Sequence, residues 1–201
     1  DQAGAADVER AVAAARAAFD TGPWRTTPAA ERSALLRRVA DLLVRDKEQI
    51  ARTETLDTGK TLVESRIDVD DVVAVFRYYA DLVGGGESGR LVETGQHGIV
   101  SRVVHEPVGV CVLITPWNYP LLQLSWKVAP ALAAGNTCVI KPSEVTPLTS
   151  VLLVRLLEEA GAPAGVVNIL LGDGPTVGAP LTELDDVDMV SFTGGLPPGR
   201  R

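Results

Sequence analysis

Thr115-Pro116-Trp117-Asn118-Tyr119-Pro120 sets a carboxamide between two aromatic side chains, in a stretch stiffened by two prolines. A rigidly presented amide N–H suits a site where negative charge develops on an oxygen. The same residues also suit an ordinary turn held by Asn118, with Trp117 and Tyr119 packed inward. Lys141-Pro142-Ser143-Glu144 brings a cation and a carboxylate out of a strand together. A carboxylate placed there accepts hydrogen bonds from a ribose diol and disfavours a 2′-phosphate; taken alone, the two charges read equally as a surface ion pair worth about 0–1 kcal/mol. Gly172-Asp173-Gly174-Pro175-Thr176-Val177-Gly178 resembles a dinucleotide-binding turn, but its glycine spacing is one residue longer than G-x-G-x-x-G. Phe192-Thr193-Gly194-Gly195 closes the last apolar run and offers backbone N–H groups to a pyrophosphate. The last two segments also read as plain turns.

The periodicity around these segments places them. In the first third, Asp7 is expected to cap a helix running through Val8, Val12 and Ala15 to Phe19. Thr27-Pro28 opens a second helix, with Leu35, Leu36, Val39, Leu42 and Leu43 on one stripe. Asp46 with Gln49, and Thr61 with Glu64, have capping-box spacing for two more. Val69 to Val83 forms a long amphipathic face that Gly84 to Gly86 end. Residues 98–106 then read as one arm of a hairpin with 91–95, broken by Pro107.

From Val108 the pattern alternates. Strands are expected at 108–114, 137–140, 166–171 and 187–192, and helices at 121–134, 148–160 and 175–184. Such β-α-β alternation with short connections predicts a Rossmann-like parallel sheet with flanking helices, whose ligands sit beyond the carboxyl ends of the strands. The expected organisation is therefore an N-terminal helical part over 1–97, a hairpin arm over 98–107, a dinucleotide-binding domain over 108–195 and an unfolded, truncated tail over 196–201.

Gly84-Gly85-Gly86-Glu87-Ser88-Gly89 fits G-x-G-x-x-G letter for letter but follows a helix instead of a strand, so it reads as a loop. His97 and His105 have no carboxylate or cysteine cluster near them in sequence, and no metal site is expected. Cys111 and Cys138 fall in apolar strand runs, which suits buried thiols in a reducing compartment and hence the cytoplasm. The formal charge of −7 argues against a nucleic-acid partner, and no apolar run is long enough for a bilayer.

In order and spacing, the segments together resemble the aldehyde dehydrogenase superfamily. The match includes Ile114 to Pro120, Trp126-Lys127, Pro130 to Asn136, Lys141 to Glu144 with Thr146-Pro147-Leu148, Val167-Asn168, the Gly172 turn and Ser191 to Gly195. Upstream, Glu54 to Lys60 and His105 to Val110 match as well. The resemblance implies NAD as cofactor and a homo-oligomer, dimer or tetramer, built partly through the 98–106 arm. It implies that Asn118 donates its amide to the oxyanion of the reacting aldehyde and that Lys127 serves a charge relay. Ile114, Thr115, Pro116 and Trp117 would line the nicotinamide side, Lys141, Ser143 and Glu144 the adenosine ribose, Gly174 and Gly178 the adenine, and Phe192, Gly194 and Gly195 the pyrophosphate. Many members have serine where Gly195 stands. Tyr119 and Trp126 match aromatics that box a cationic head group in betaine-aldehyde and amino-aldehyde members, at roughly 0.5–2 kcal/mol per ring; an aromatic-lined tunnel for any apolar aldehyde is the plainer alternative.

The family's nucleophilic cysteine and general-base glutamate find no match, so the chain is expected to be inactive by itself. A non-catalytic nucleotide-binding or oligomerisation module and a truncated remnant are the competing expectations. Exposed sheet edges predict poor solubility when the chain is expressed alone; a sharply melting monomer in ultracentrifugation and calorimetry is the contrary outcome.

Overall fold

The computed structural model describes residues 2–85 and 89–200. Helices α1 (Ala5–Asp20), α2 (Ala29–Arg45), α3 (Lys47–Thr58) and α4 (Leu62–Gly84) come first, followed by an antiparallel pair, β1 (Gly89–Glu93) and β2 (Val100–Val104). The alternating part contains β3 (Val110–Ile114), α5 (Pro120–Ala134), β4 (Thr137–Lys141), α6 (Leu148–Glu159), β5 (Val167–Ile169), α7 (Ala179–Glu183), β6 (Met189–Phe192) and a last helical turn, α8 (Leu196–Gly199). Strands β3 to β6 form one parallel sheet in the order β5-β4-β3-β6. The chain thus steps outward from β3 to β5 and returns past its starting strand to β6. The reversal lies between β3 and β6, where sheets of this kind bind ligands.

Strand alternation divides the core. Cys111, Leu113, Cys138 and Ile140 point into a large apolar cluster with α2, α4, α5 and α6. Val110, Val112 and Val139 point the other way, onto Val8, Val12 and Ala15 of α1 and Leu181 of α7. Both faces are covered, which is why these strands read as continuous apolar runs. The N-terminal helices are therefore two of the layers that enclose the sheet: α1 on one side, the α2–α4 group on the other.

Local polar bonds set where the elements start. Gly109 has φ 138° and donates its N–H to Asn136 Oδ1 at 3.0 Å, while Trp24 Nε1 donates to the Asn136 carbonyl at 3.0 Å. A side chain at Gly109 would run into the Asp188 carboxylate, which accepts from Val110 N at 2.7 Å and pairs with Arg16. These contacts start β3 at Val110 and leave Val108 exposed, two residues later than the apolar run suggests.

Several local expectations are corrected. Gly4 precedes α1 as its cap; Asp7 sits three residues inside and reaches back to accept from Gly4 N at 2.8 Å. Asp46 makes no cap bond to α3, because its carboxylate is engaged by the Arg45 guanidinium. The Thr61–Glu64 box does form. Residues 174–178 make a π-helical turn capped by Asp173, and only then does α7 begin. The tail is not wholly unfolded: Leu196–Gly199 close one turn, with Gly199 N bonding the Gly195 carbonyl at 3.2 Å. The decoy glycine run lies partly outside the described residues.

Leu113 is fully buried, whereas Val190 on the outer strand β6 is 39% exposed. Leu113→Ala should cost about 2–5 kcal/mol in a denaturant melt. Val190→Lys should leave the melting temperature nearly unchanged and reduce aggregation measured by light scattering.

Candidate functional site

The register of the sheet aligns three of the singled-out residues. Ile114 is paired with Lys141 on one side and with Phe192 on the other. The loops that follow them leave the same carboxyl edge, and three inter-strand gaps of about 4.8 Å give that edge a span of roughly 14 Å. Backbone bonds continue the row: Thr115 N donates to the Lys141 carbonyl at 3.2 Å and Thr193 N to the Ile114 carbonyl at 3.1 Å.

At the β4–β5 end lies a cavity of about 200 Å³ walled by Pro142, Ser143, Glu144, Leu171, Gly172 and Asp173. Lys141 is not a surface cation: its side chain is 5% exposed and its Nζ bonds Glu144 Oε2 at 3.2 Å, whereas Glu144 is half exposed. Ser143 Oγ is turned to its own loop and accepts from Val145 N at 3.3 Å. Asp173 receives the Thr176 N–H at 2.7 Å, which holds its carboxyl below the ordinary value. Gly178 is buried with Lys141 alongside, and a side chain at Gly174 would meet open space.

Asn118 leaves the β3 tip on an exposed loop flanked by exposed Trp117 and Tyr119, so neither aromatic is packed inward. Thr146, itself buried, donates its hydroxyl to the Trp117 carbonyl at 2.7 Å, and Gln123 Nε2 donates to the Asn118 carbonyl at 3.0 Å. The first bond joins the Asn118 loop to the loop that carries Glu144. Tyr119 has φ 47° and ψ 48°, alone among the described non-glycine residues in the left-handed region, a conformation that costs about 1–2 kcal/mol. Beneath the β6 tip, Lys127 Nζ donates to Ser191 Oγ at 3.0 Å, and burial lowers its pKa from the ordinary lysine value. Gly194 and Gly195 are exposed beside Phe192. Trp126 lies in a separate open groove of about 470 Å³ with Leu122, Tyr78, Tyr79, Val75 and Asp71.

Three comparisons place the chain among known proteins. A family model described as the aldehyde dehydrogenase family matches residues 1–201. The chain belongs to the aldehyde dehydrogenase family. It is 51% identical to betaine aldehyde dehydrogenase of Bacillus subtilis over 100% of its own length and 41% of that protein's. It is 50% identical to the mitochondrial aldehyde dehydrogenase of Sus scrofa over 96% of its length and 37% of the relative's. A crystal structure of betaine aldehyde dehydrogenase from Staphylococcus aureus in complex with NAD+ superposes at TM-score 0.95 and 48% identity, covering 100% of this chain and 40% of that one. The chain spans about two fifths of the length of these relatives.

Within this family segment, sequence patterns missed the residues behind the Asn118 loop. Glu54, Lys60 and Asp68 form a buried ionic cluster, with Lys60 Nζ 3.4 Å from Glu54 Oε1 and in contact with Asp68. Burial pushes the Glu54 carboxyl above its ordinary value. Asp57 accepts from Leu148 N at 2.9 Å and so caps α6 from α3. One signal was available: Asp68 interrupts the apolar stripe of α4 with a charge, and a charge on a buried face demands a partner.

The two thiols are free and buried, paired in register across β3 and β4. Burial pushes Cys111 up to about 11 and Cys138 well above the ordinary value. At pH 8 a thiol of that kind is about 0.1% thiolate. Neither cysteine should react with a disulfide reagent in the native chain at pH 8, and both should react in denaturant. Between pH 9 and 11 the unfolded chain loses these protons while the folded chain keeps them, so stability should fall across that window in alkaline melts.

Proposed function

We propose that this chain is the cofactor-binding and oxyanion-stabilising portion of an NAD-dependent aldehyde dehydrogenase that oxidises an aldehyde to a carboxylate. The observation that carries this is the Thr146–Trp117 bond, which joins the loop bearing Asn118 to the loop bearing Glu144 on one sheet edge. The residues fit NAD. Beside the cavity at the β4–β5 end, Gly174 leaves room that a side chain would fill, and at the β3 tip the Thr115 hydroxyl is buried without a partner.

NAD, when bound, supplies the acceptor for the hydride that leaves the aldehyde carbon. In this proposal Glu144 accepts from the adenosine ribose diol, which selects NAD over a 2′-phosphorylated cofactor. Lys141 supports Glu144 and the ribose; Ser143 braces their loop. Gly174 and Gly178 border the adenine, and Phe192, Gly194 and Gly195 face the pyrophosphate. Ile114, Thr115, Pro116 and Trp117 line the nicotinamide side. Asn118 donates its amide N–H to the carbonyl oxygen as that oxygen gains charge, and Lys127 moves a proton in a relay beneath it.

For the substrate we propose an aldehyde with a cationic head group, of the betaine-aldehyde or amino-aldehyde class. Identity does not choose, since a betaine aldehyde enzyme and a mitochondrial aldehyde dehydrogenase match almost equally. The groove supports the choice: Trp126, Tyr78 and Tyr79 bring aromatic rings and Asp71 a carboxylate to one opening. Rings and a carboxylate together attract a desolvated cation more than a neutral aldehyde. The exposed apolar residues of the β1–β2 pair, Leu91, Val100 and Val104, support assembly into a dimer or tetramer. Two buried free thiols suit the cytoplasm. Among the described residues no helix is long and apolar enough to cross a membrane.

Calorimetric titration should show NAD binding to the chain, weakened about tenfold in Glu144→Ala, the loss of one charge-assisted bond pair. With its two thiols protonated, the chain alone should make no NADH from NAD and an aldehyde. In a complete enzyme carrying this segment, Asn118→Ala should lower kcat by about a hundredfold to a thousandfold; turnover that survives this substitution sinks the proposal. A cooperative melt with NAD binding but no dependence of the complete enzyme on Asn118 would favour a non-catalytic module.

A further inference from the structure

Asn118 is flanked by two residues that different elements hold. On one side Thr146 bonds the Trp117 carbonyl. On the other, Lys60 Nζ lies 4.3 Å from the centroid of the Tyr119 ring. Lys60 is well anchored: its side chain is 15% exposed and it pairs with Glu54 and Asp68, whose side chains are 1% and 8% exposed. Gly59, at φ 78°, ends α3 in a left-handed turn, and Lys60 follows directly before Thr61 caps α4. A lysine free in solvent samples many rotamers; one shared by two buried carboxylates is a fixed cation.

Tyr119 needs such a fixture. Its left-handed backbone is strained, and a strained residue persists only where its surroundings hold it. The ring face resting on the Lys60 ammonium supplies that hold, because the attraction is lost if the backbone relaxes and the ring swings away. Asn118 is the next residue back, so the dihedrals of Tyr119 set the direction in which the carboxamide leaves the loop.

We propose that Lys60 is a positioning residue for the Asn118 carboxamide, acting through the Tyr119 ring and held in place by Glu54 and Asp68. This rests on Asn118 being the oxyanion donor. The three ionic residues lie on α3, its turn and α4, outside the strand-tip loops, so the helical first third of the chain contributes directly to the geometry of the site.

The test compares variants in the complete enzyme that the proposed function requires, assayed with a small neutral aldehyde so that no cationic substrate is involved. Lys60→Met leaves two buried carboxylates unpaired and destabilises the fold. The decisive variant is therefore E54Q/K60M/D68N, which removes all three charges together. It is expected to melt close to the parent, to keep its KM for NAD within about twofold, and to lose kcat by on the order of tenfold to a hundredfold, the scale of a displaced catalytic group. Lys60→Arg, whose guanidinium also stacks on a ring, is expected to retain more activity. Tyr119→Leu, which leaves the ionic cluster intact, is expected to show the same kcat loss, and it reads the contact even if the triple variant misfolds. Crystals of E54Q/K60M/D68N should show Tyr119 outside the left-handed region. If Asn118→Ala abolishes turnover while the triple variant or Tyr119→Leu turns over like the parent, the cluster is only a helix tie and the inference is overturned. If Asn118→Ala itself turns over normally, the underlying reading of the site has failed instead.

Discussion

The parallel register that sets Ile114 between Lys141 and Phe192 is the constraint on which the site depends. Side chains alternate faces along a strand, so a one-residue slip of β4 would send each of its buried residues to the opposite face of the sheet. Cys138 and Ile140 would leave the helical core, and Val139 would leave α1. Distinct partners on its two faces therefore hold β4 in register, the pairing of β6 with β3 extends the alignment, and the loops come to one edge. The chemistry of those loops is borrowed from the rigidity of a core that contains none of it.

A second layer of constraint comes from the helical first third. Asp57 caps α6, the Lys60 cluster touches Tyr119, and Arg32 Nε bonds the Ala133 carbonyl near the end of α5 at 2.9 Å. The first two contacts fix elements beside the strand tips, while the third ties the end of α5 at the opposite edge of the sheet, where β4 begins. The helices α2 to α4 accordingly do more than fill a face. Their polar residues reach past the apolar core to the loops, and they do so from positions that would weaken the core if they were left unpaired.

Much of this was legible in the residues alone. Short apolar runs placed the strands of the sheet and period-3.6 stripes the long helices; for β3 and β4 the run is unbroken because both faces are buried. The Thr61–Glu64 box was readable because both halves of a capping box lie within four residues. Asp46 failed for the same locality: Arg45, one residue away, competes for the carboxylate, and spacing rules do not weigh competitors. The Lys60 cluster could not be read from spacing, since Glu54, Lys60 and Asp68 meet only after α3 and α4 fold back on each other. Nor could the burial of Lys141, which depends on the π-helical turn laying Gly178 against its stem.

The placement of the cysteines decides how the chemistry is divided. A nucleophilic thiol needs a depressed pKa and a path to the substrate. Cys111 and Cys138 have neither: they sit inside the sheet, face the helical core and are pushed upward by burial. Asn118 has the opposite character, exposed at a strand tip on a loop held from both sides. A pre-oriented amide donor stabilises charge on an oxygen but forms no bond to carbon. Under the proposed function, the residues at this edge hold the dinucleotide and stabilise the oxyanion, and the attack on the aldehyde comes from a nucleophile other than these two thiols.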